Sequence, residues 1–224
     1  MTGLREDIRA VLFDLDGTLI DSAPDLAGAG NDMRKARGLP PLPYETFRPM
    51  VGAGARGMLG IALQITPEDP DFIALREEFL SRYEARMSQE THVFEAMHPV
   101  LATLQAHGVP WGIVTNKAER FTLPLVRTLT LDERAAAIVG GDTTPHSKPH
   151  PEPLLEAARR MGIAADACVY VGDDLRDVQA GRAAGMATVA AAWGYLGQGD
   201  PIGAWGADHV IESPGELLNL LRLA

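Results

Sequence analysis

Apolar residues in this chain gather in short unbroken runs, and each run stops at a polar cluster. Residues 10–13 (Ala-Val-Leu-Phe) stop at Asp14 and Asp16, and residues 110–114 stop at Thr115 and Asn116. Residues 136–139 stop at Gly140-Gly141-Asp142, and residues 168–171 stop at Gly172-Asp173-Asp174. A fifth run covers 187–191, and a weaker one covers 208–211. Runs of this length and composition predict strands buried on both faces, as in a parallel sheet. Between them, 99–107, 120–129, 151–161, 175–184 and 214–223 carry apolar residues every three or four positions, which predicts amphipathic helices. Gly108, Gly162 and Gly185 follow three of these helices, where a C-terminal cap belongs. Alternating strands and helices predict an α/β fold with a doubly wound, Rossmann-like parallel sheet. Such sheets bind ligands beyond the carboxyl ends of their strands, which is where the polar clusters fall.

One stretch breaks the alternation. From about 22 to 95 no strand pattern is found, and 25–37, 44–64 and 71–89 read as helices joined by proline-rich segments at 39–43 and 67–70. The chain is therefore expected to fold as a core domain of residues 1–21 and 96–224, with a helical domain of residues 22–95 inserted after the first strand. An insertion of roughly 70 residues is within the size range of a small domain.

Composition narrows the function classes. The net charge of −10 argues against nucleic acid as a partner. An acidic protein that binds phosphate must supply local positive charge or N–H donors. No stretch approaches the ~20 apolar residues of a membrane helix, and the first seven residues hold no apolar core of a signal peptide. A cytoplasmic protein is expected, as a monomer or weak homodimer acting on a small molecule. Cys168, the lone cysteine, reads as a small core residue. His92, His98, His107, His146, His150 and His209 show no metal-ligand spacing.

The strand ends carry the chemistry. Asp14 and Asp16, two apart, point roughly the same way and repel one another. A divalent cation such as Mg²⁺ holds such a pair, leaving one carboxylate to attack phosphorus and the other to move protons. Two aspartates alone read equally as loop or capping acids. Thr115 and Asn116 offer a hydroxyl and an amide to phosphoryl oxygens, though both are also ordinary turn residues. Lys148 lies between Ser147 and Pro149 and can pair with Asp14, or stand exposed before the next helix. Asp173 is placed to complete a metal site, and Asp177, one turn on, to orient Lys148 or a metal-bound water. Asp174 reads best as a helix N-cap. Trp193 follows the fifth strand, either lining the site or packing in the core. Taken one by one these are modest; as a set at four strand ends, packing does not account for them.

Together these residues resemble the haloacid-dehalogenase-like (HAD) hydrolase superfamily. The likeness runs essentially end to end, through Asp14-Leu15-Asp16-Gly17-Thr18, Thr115, Lys148, Gly172-Asp173 and Asp177. It implies a phosphomonoesterase with Asp14 as nucleophile, Asp16 as general acid/base, and Lys148 and Thr115 assisting. It implies Mg²⁺ held by Asp14, Asp16 through its backbone carbonyl, and Asp173. The inserted helices would be a cap domain of the C1 type. Backbone N–H groups of the 14–17 loop are expected to meet the phosphoryl oxygens. Within the superfamily the chain resembles the phosphoglycolate phosphatases, whose glycine-rich cap loop is similar to residues 51–56. Gly54 and Arg56 of that loop are candidate substrate contacts, Arg56 for a carboxylate or phosphate. The N-acetylmuramic acid 6-phosphate phosphatases are also similar, with the same chemistry on another ester. A β-phosphoglucomutase-like mutase, a dehalogenase and a phospho-accepting receiver domain are the rivals, the last roughly half as long and uncapped.

Overall fold

Strand β1 (Ala10–Phe13) has no exposed residue, and its side chains divide strictly by parity. Val11 and Phe13 pack into one hydrophobic cluster, and Ala10 and Leu12 pack into another on the opposite face. That is the period-two pattern of a strand covered on both sides. The computed structural model describes Leu4 and residues 7–223. Six strands form one parallel sheet in the order β5 (Ala137–Val139), β4 (Trp111–Val114), β1, β6 (Cys168–Gly172), β7 (Ala187–Ala191) and β8 (His209–Ile211). Val11 sits opposite Trp111 on one side, and Ala10 sits opposite Cys168 on the other. The chain therefore runs outward from β1 through β4 to β5, returns past β1, and runs outward again through β6 to β8. The reversal makes β1 the switch point of a doubly wound sheet.

Helices α5 (Met97–Ala106), α6 (Glu119–Thr128) and α9 (Glu216–Leu220) bury Met97, Leu101, Leu125 and Leu217 against the Val11 face. Helices α7 (Glu152–Met161) and α8 (Leu175–Ala183) cover the other face through Leu154, Ala157 and Ala180. Helix α9 is shorter than the pattern over 214–223 predicts, and ends at Leu220. Gly162, in the left-handed region at φ +67°, terminates α7 as the sequence predicts.

The chain divides into two compact units. One is Met1–Ile20, Val93–Gly194 and Asp200–Ala224; the other is Asp21–His92 with Tyr195–Gly199. The second contains α1 (Ala23–Ala36), α2 (Tyr44–Phe47), α3 (Gly54–Leu63) and α4 (Phe72–Glu84) around buried Met33, Phe47, Met58, Phe79 and Tyr83. The single helix expected over 44–64 is broken by a 3₁₀ turn at Arg48–Ala53. Pro49 has no N–H for a helical bond, and Gly54 takes φ +60°, ψ −154°, outside the helical region. Asp25 is wholly buried, and its Oδ2 accepts from Glu90 N, Thr91 N and Thr91 Oγ1 at 2.8–3.0 Å, which ties α1 to the end of the segment after α4.

Two differences come from short or remote pieces of chain. The strands β2 (Ile20–Asp21) and β3 (His92–Val93) form a separate two-stranded sheet too short to leave a periodic signature. Tyr195–Gly199, expected in the core, belongs to the helical unit. The Tyr195 hydroxyl accepts from Ser22 N (2.9 Å) and Ala23 N (3.1 Å) and donates to Asp21 Oδ1 (2.9 Å), capping the start of α1. Among the described residues no helix is long and apolar enough to cross a membrane.

Candidate active site

Asp14 stands one residue past β1, at the switch point, with Thr115 past β4 and Asp173 past β6 on either side. Lys148 comes from the long connection between β5 and α7 and is 4% exposed. Its ammonium lies 2.8 Å from Asp14 Oδ1 and 2.7 Å from Asp177 Oδ1. It also donates to Tyr170 Oη at 2.7 Å and to the Val114 carbonyl at 3.0 Å. Burial alone would lower the lysine's pKa, but the facing Asp14 and Asp177 carboxylates outweigh it and hold the ammonium charged. Asp14 shows the opposite balance. Burial raises it to about 7, Lys148 pulls it down, and Asp177 and Asp16 push it up again.

Asn116 places the lysine. Its Nδ2 donates to the Lys148 carbonyl and its Oδ1 accepts from Lys148 N, both at 2.9 Å. Expected to meet phosphoryl oxygens, Asn116 also holds the Lys148 backbone with both ends of its amide, which uses one of the two Nδ2 protons. Thr115, almost fully buried, accepts from Lys117 N at 3.1 Å, which leaves its hydroxyl proton to be donated. The N–H groups of Asp14 and Gly17 do not face the site as expected, because they bond Val171 O and Ile20 O, each at 2.9 Å. Gly17 takes φ +88°, which turns the loop back on itself and which a side chain would resist.

Asp173 and Asp177 are each held by a close-packed glycine. A Cβ on Gly194 would overlap the Asp173 side chain, and one on Gly172 would overlap the Asp177 carboxylate. Thr18 Oγ1 donates to Asp173 Oδ1 at 2.8 Å, and Trp193 Nε1 holds the Thr18 carbonyl at 3.1 Å. Gly194→Ala should therefore displace Asp173. Divalent-cation binding, measured by calorimetry, is expected to weaken about tenfold or more in that variant, with an unchanged melting curve as control. Asp174 is the N-cap of α8: its Oδ1 accepts from Arg176 N, and Asp177 Oδ2 accepts from Asp174 N. Burial raises its pKa, but hydrogen bonds from Arg176 win and leave it lowered.

Several groups here escape sequence reading. Lys117 Nζ lies 2.7 Å from Asp16 Oδ1, with 9% and 18% of the two side chains exposed. Tyr170, read only as part of an apolar run, reaches the buried lysine. Thr18 stands in the motif but its bond spans 155 residues. Gly54 and Arg56 are exposed at the start of α3 in the helical unit. Of the histidines, His209 is half-buried and the other five are exposed. Cys168 is buried, and burial pushes its thiol up to about 11, so it is no nucleophile.

A nucleophile-like aspartate, a paired lysine and further acids, each at a strand end in chain order, match a known arrangement. The haloacid dehalogenase-like hydrolase family model matches residues 11–191. The chain belongs to the haloacid dehalogenase-like hydrolase family. A phosphoglycolate phosphatase of Xanthomonas campestris pv. campestris (strain 8004) is 48% identical over 213 residues, covering 93% of this chain and 94% of that one. An N-acetylmuramic acid 6-phosphate phosphatase of Pseudomonas aeruginosa is 40% identical over 220 residues, covering 98% and 97%. A crystal structure from Haemophilus somnus 129pt, described as a predicted phosphoglycolate phosphatase, superposes with a TM-score of 0.83 at 26% identity, covering 97% of this chain and 99% of that one. Family phosphatases generally use Mg²⁺, and the donor set fits a hard cation. Carboxylate oxygens of Asp14, Asp173 and Asp177 lie within 4.8 Å of one another, and buried Asp14 Oδ1 has no hydrogen-bond partner among the described residues.

Proposed function

We propose that this hydrolase releases phosphate from phosphoglycolate through an aspartyl-phosphate on Asp14. The observation that carries the reading is the buried ion pair between Asp14 and Lys148 at the switch point of the sheet. The 48% identity to a phosphoglycolate phosphatase supports the choice of substrate over the amino-sugar ester of the 40% relative. Asp14 and Asp173 would hold Mg²⁺ with the Asp16 backbone carbonyl, because the Asp177 carboxylate is engaged by Lys148 and the Asp16 carboxylate by Lys117. When bound, the ion supplies positive charge against the phosphoryl oxygens and the crowded carboxylates.

The chain's own groups do the rest. An Asp14 carboxylate oxygen attacks phosphorus in line while the bond to the glycolate oxygen breaks. Asp16 gives its proton to the departing alkoxide, then takes one from water as that water attacks the aspartyl-phosphate. Inorganic phosphate leaves and Asp14 is restored. Lys148 neutralises charge throughout, and Thr115 donates to a phosphoryl oxygen. In the helical unit, Gly54 and Arg56 are the candidates for recognising the substrate carboxylate. Catalysis is mainly positioning and charge neutralisation.

A phosphate-release screen tests this reading. Phosphoglycolate, N-acetylmuramate 6-phosphate and common sugar phosphates are offered with Mg²⁺ and with chelator. Fast release from phosphoglycolate alone, lost in chelator and restored by Mg²⁺, is expected. Preference for the amino-sugar phosphate would reassign the substrate, and release undiminished in chelator would overturn the metal-assisted chemistry.

A further inference from the structure

Lys117 sits on the turn between β4 and α6, and its ammonium donates to Asp16 Oδ1 at 2.7 Å. Two long side chains on a solvated surface would gain little from such a pair. This lysine is built in. Its backbone N–H donates to Thr115 Oγ1 at 3.1 Å. Its carbonyl accepts from Gly141 N at 2.8 Å and from Thr122 Oγ1 at 2.9 Å. The turn is thus tied to the start of α6 and to the loop after β5.

The loop after β5 is fitted to this turn. A Cβ on Gly141 would lie 2.2 Å from the Asn116 carbonyl oxygen, so no side chain fits there. Asp142 Oδ1 accepts from Glu119 N at 2.7 Å and closes the same junction. Lys117 therefore leaves a fixed backbone, and its side chain is 9% exposed. The neighbouring Asn116 grips the Lys148 backbone, and the Lys148 ammonium faces Asp14. One turn past β4 so governs two cations, one for each aspartate of the 14–17 loop.

Asp16 has to give a proton and later take one at the same place. A carboxylate free to change rotamer would spend part of its time out of reach, and displacements of about 1 Å are costly in such steps. We propose that Lys117 is a positioning residue for proton transfer: it holds the Asp16 carboxylate by Oδ1 in the place where Asp16 meets the departing oxygen. As the P–O bond breaks, its electron pair stays on the glycolate oxygen, which takes the Asp16 proton. The carboxylate left behind faces the Lys117 ammonium. The proposal rests on the phosphatase reading above and adds a residue that acts only through Asp16.

Lys117→Met keeps the apolar stem and removes the charge. In rapid-quench single turnovers with Mg²⁺-loaded protein and phosphoglycolate, aspartyl-phosphate should form about ten- to a hundredfold more slowly than in wild type. On p-nitrophenyl phosphate the leaving phenolate departs without needing a proton. Its release in the same first step should stay within about twofold of wild type. Damage to Asp14, Lys148 or the metal site would slow both esters alike, because both use one nucleophile. Lys117→Ala is the second variant, and it must show the same split between the esters. Wild-type rates on phosphoglycolate in either folded variant, or equal slowing on both esters, overturns the proposal. Should the phosphate-release screen select another alkyl phosphate, that ester takes the place of phosphoglycolate. Failure of the wild type to release phosphate from any ester would instead sink the phosphatase reading beneath it.

Discussion

Asp14→Asn is expected to abolish phosphate release from phosphoglycolate, by at least about 10³-fold in kcat, in a protein that still folds. An amide in place of the carboxylate cannot attack phosphorus. The same variant should be more stable than the wild type in metal-free buffer above neutral pH. Asp14 is raised from 3.8 to about 7, first by burial. Between those values the folded protein binds a proton that the unfolded chain has released. Wild-type stability therefore falls as pH rises from about 4 to about 7, and above 7 the whole cost is present. Asparagine carries none of it. Unfolding free energies from denaturant titration should coincide below about pH 4 and separate by about 4 kcal/mol at about pH 8, in favour of the variant. Near-wild-type turnover would remove Asp14 from the mechanism. A variant less stable than wild type at about pH 8 would show that the Lys148 attraction outweighs the burial cost.

Lys148→Met is the second large effect, and it acts on the fold as well as on the reaction. The substitution leaves Asp14 and Asp177 facing one another across a buried space with no cation between them. Removing one member of a buried ion pair costs about 3–5 kcal/mol, and unfolding in denaturant should show a loss of that size. Adding Asp177→Asn should recover part of the stability, because it removes the stranded charge, but none of the activity. Recovery of both would mean that Lys148 serves only to neutralise Asp177. A loss under about 1 kcal/mol in the single variant would mean that water reaches the pair and that the site is not as dry as its burial implies.

How much of this could be read from the chain differs from residue to residue. The strands over 10–13, 110–114, 168–171 and 187–191 were legible because a strand covered on both faces needs apolar residues at every position. Asp14, Thr115 and Asp173 were legible for the same reason, as the polar residues that end those runs at the edge where ligands bind. Lys148 was less so. It follows no regular spacing, and only its proline-flanked loop and the family likeness marked it. Lys117 was visible in the Thr115-Asn116-Lys117 stretch but nothing in the sequence says that it turns toward Asp16, 101 positions away. Tyr170 sits in an apolar run and reads as packing. The one available signal was chemical, since a buried tyrosine hydroxyl needs a partner.

By itself, then, the sequence determined the parallel sheet, the inserted helices and which acids stand at strand ends, because these follow from local periodicity and burial. The tertiary structure decided which groups meet at the site. Four segments distant in the chain meet around Lys148, whose ammonium lies 2.7–3.0 Å from oxygens of Asp14, Asp177, Tyr170 and Val114, neighbours that no spacing encodes. That convergence sets the buried Asp14 carboxylate 2.8 Å from the lysine. It is a property of where the strands β1, β4 and β6 end relative to one another.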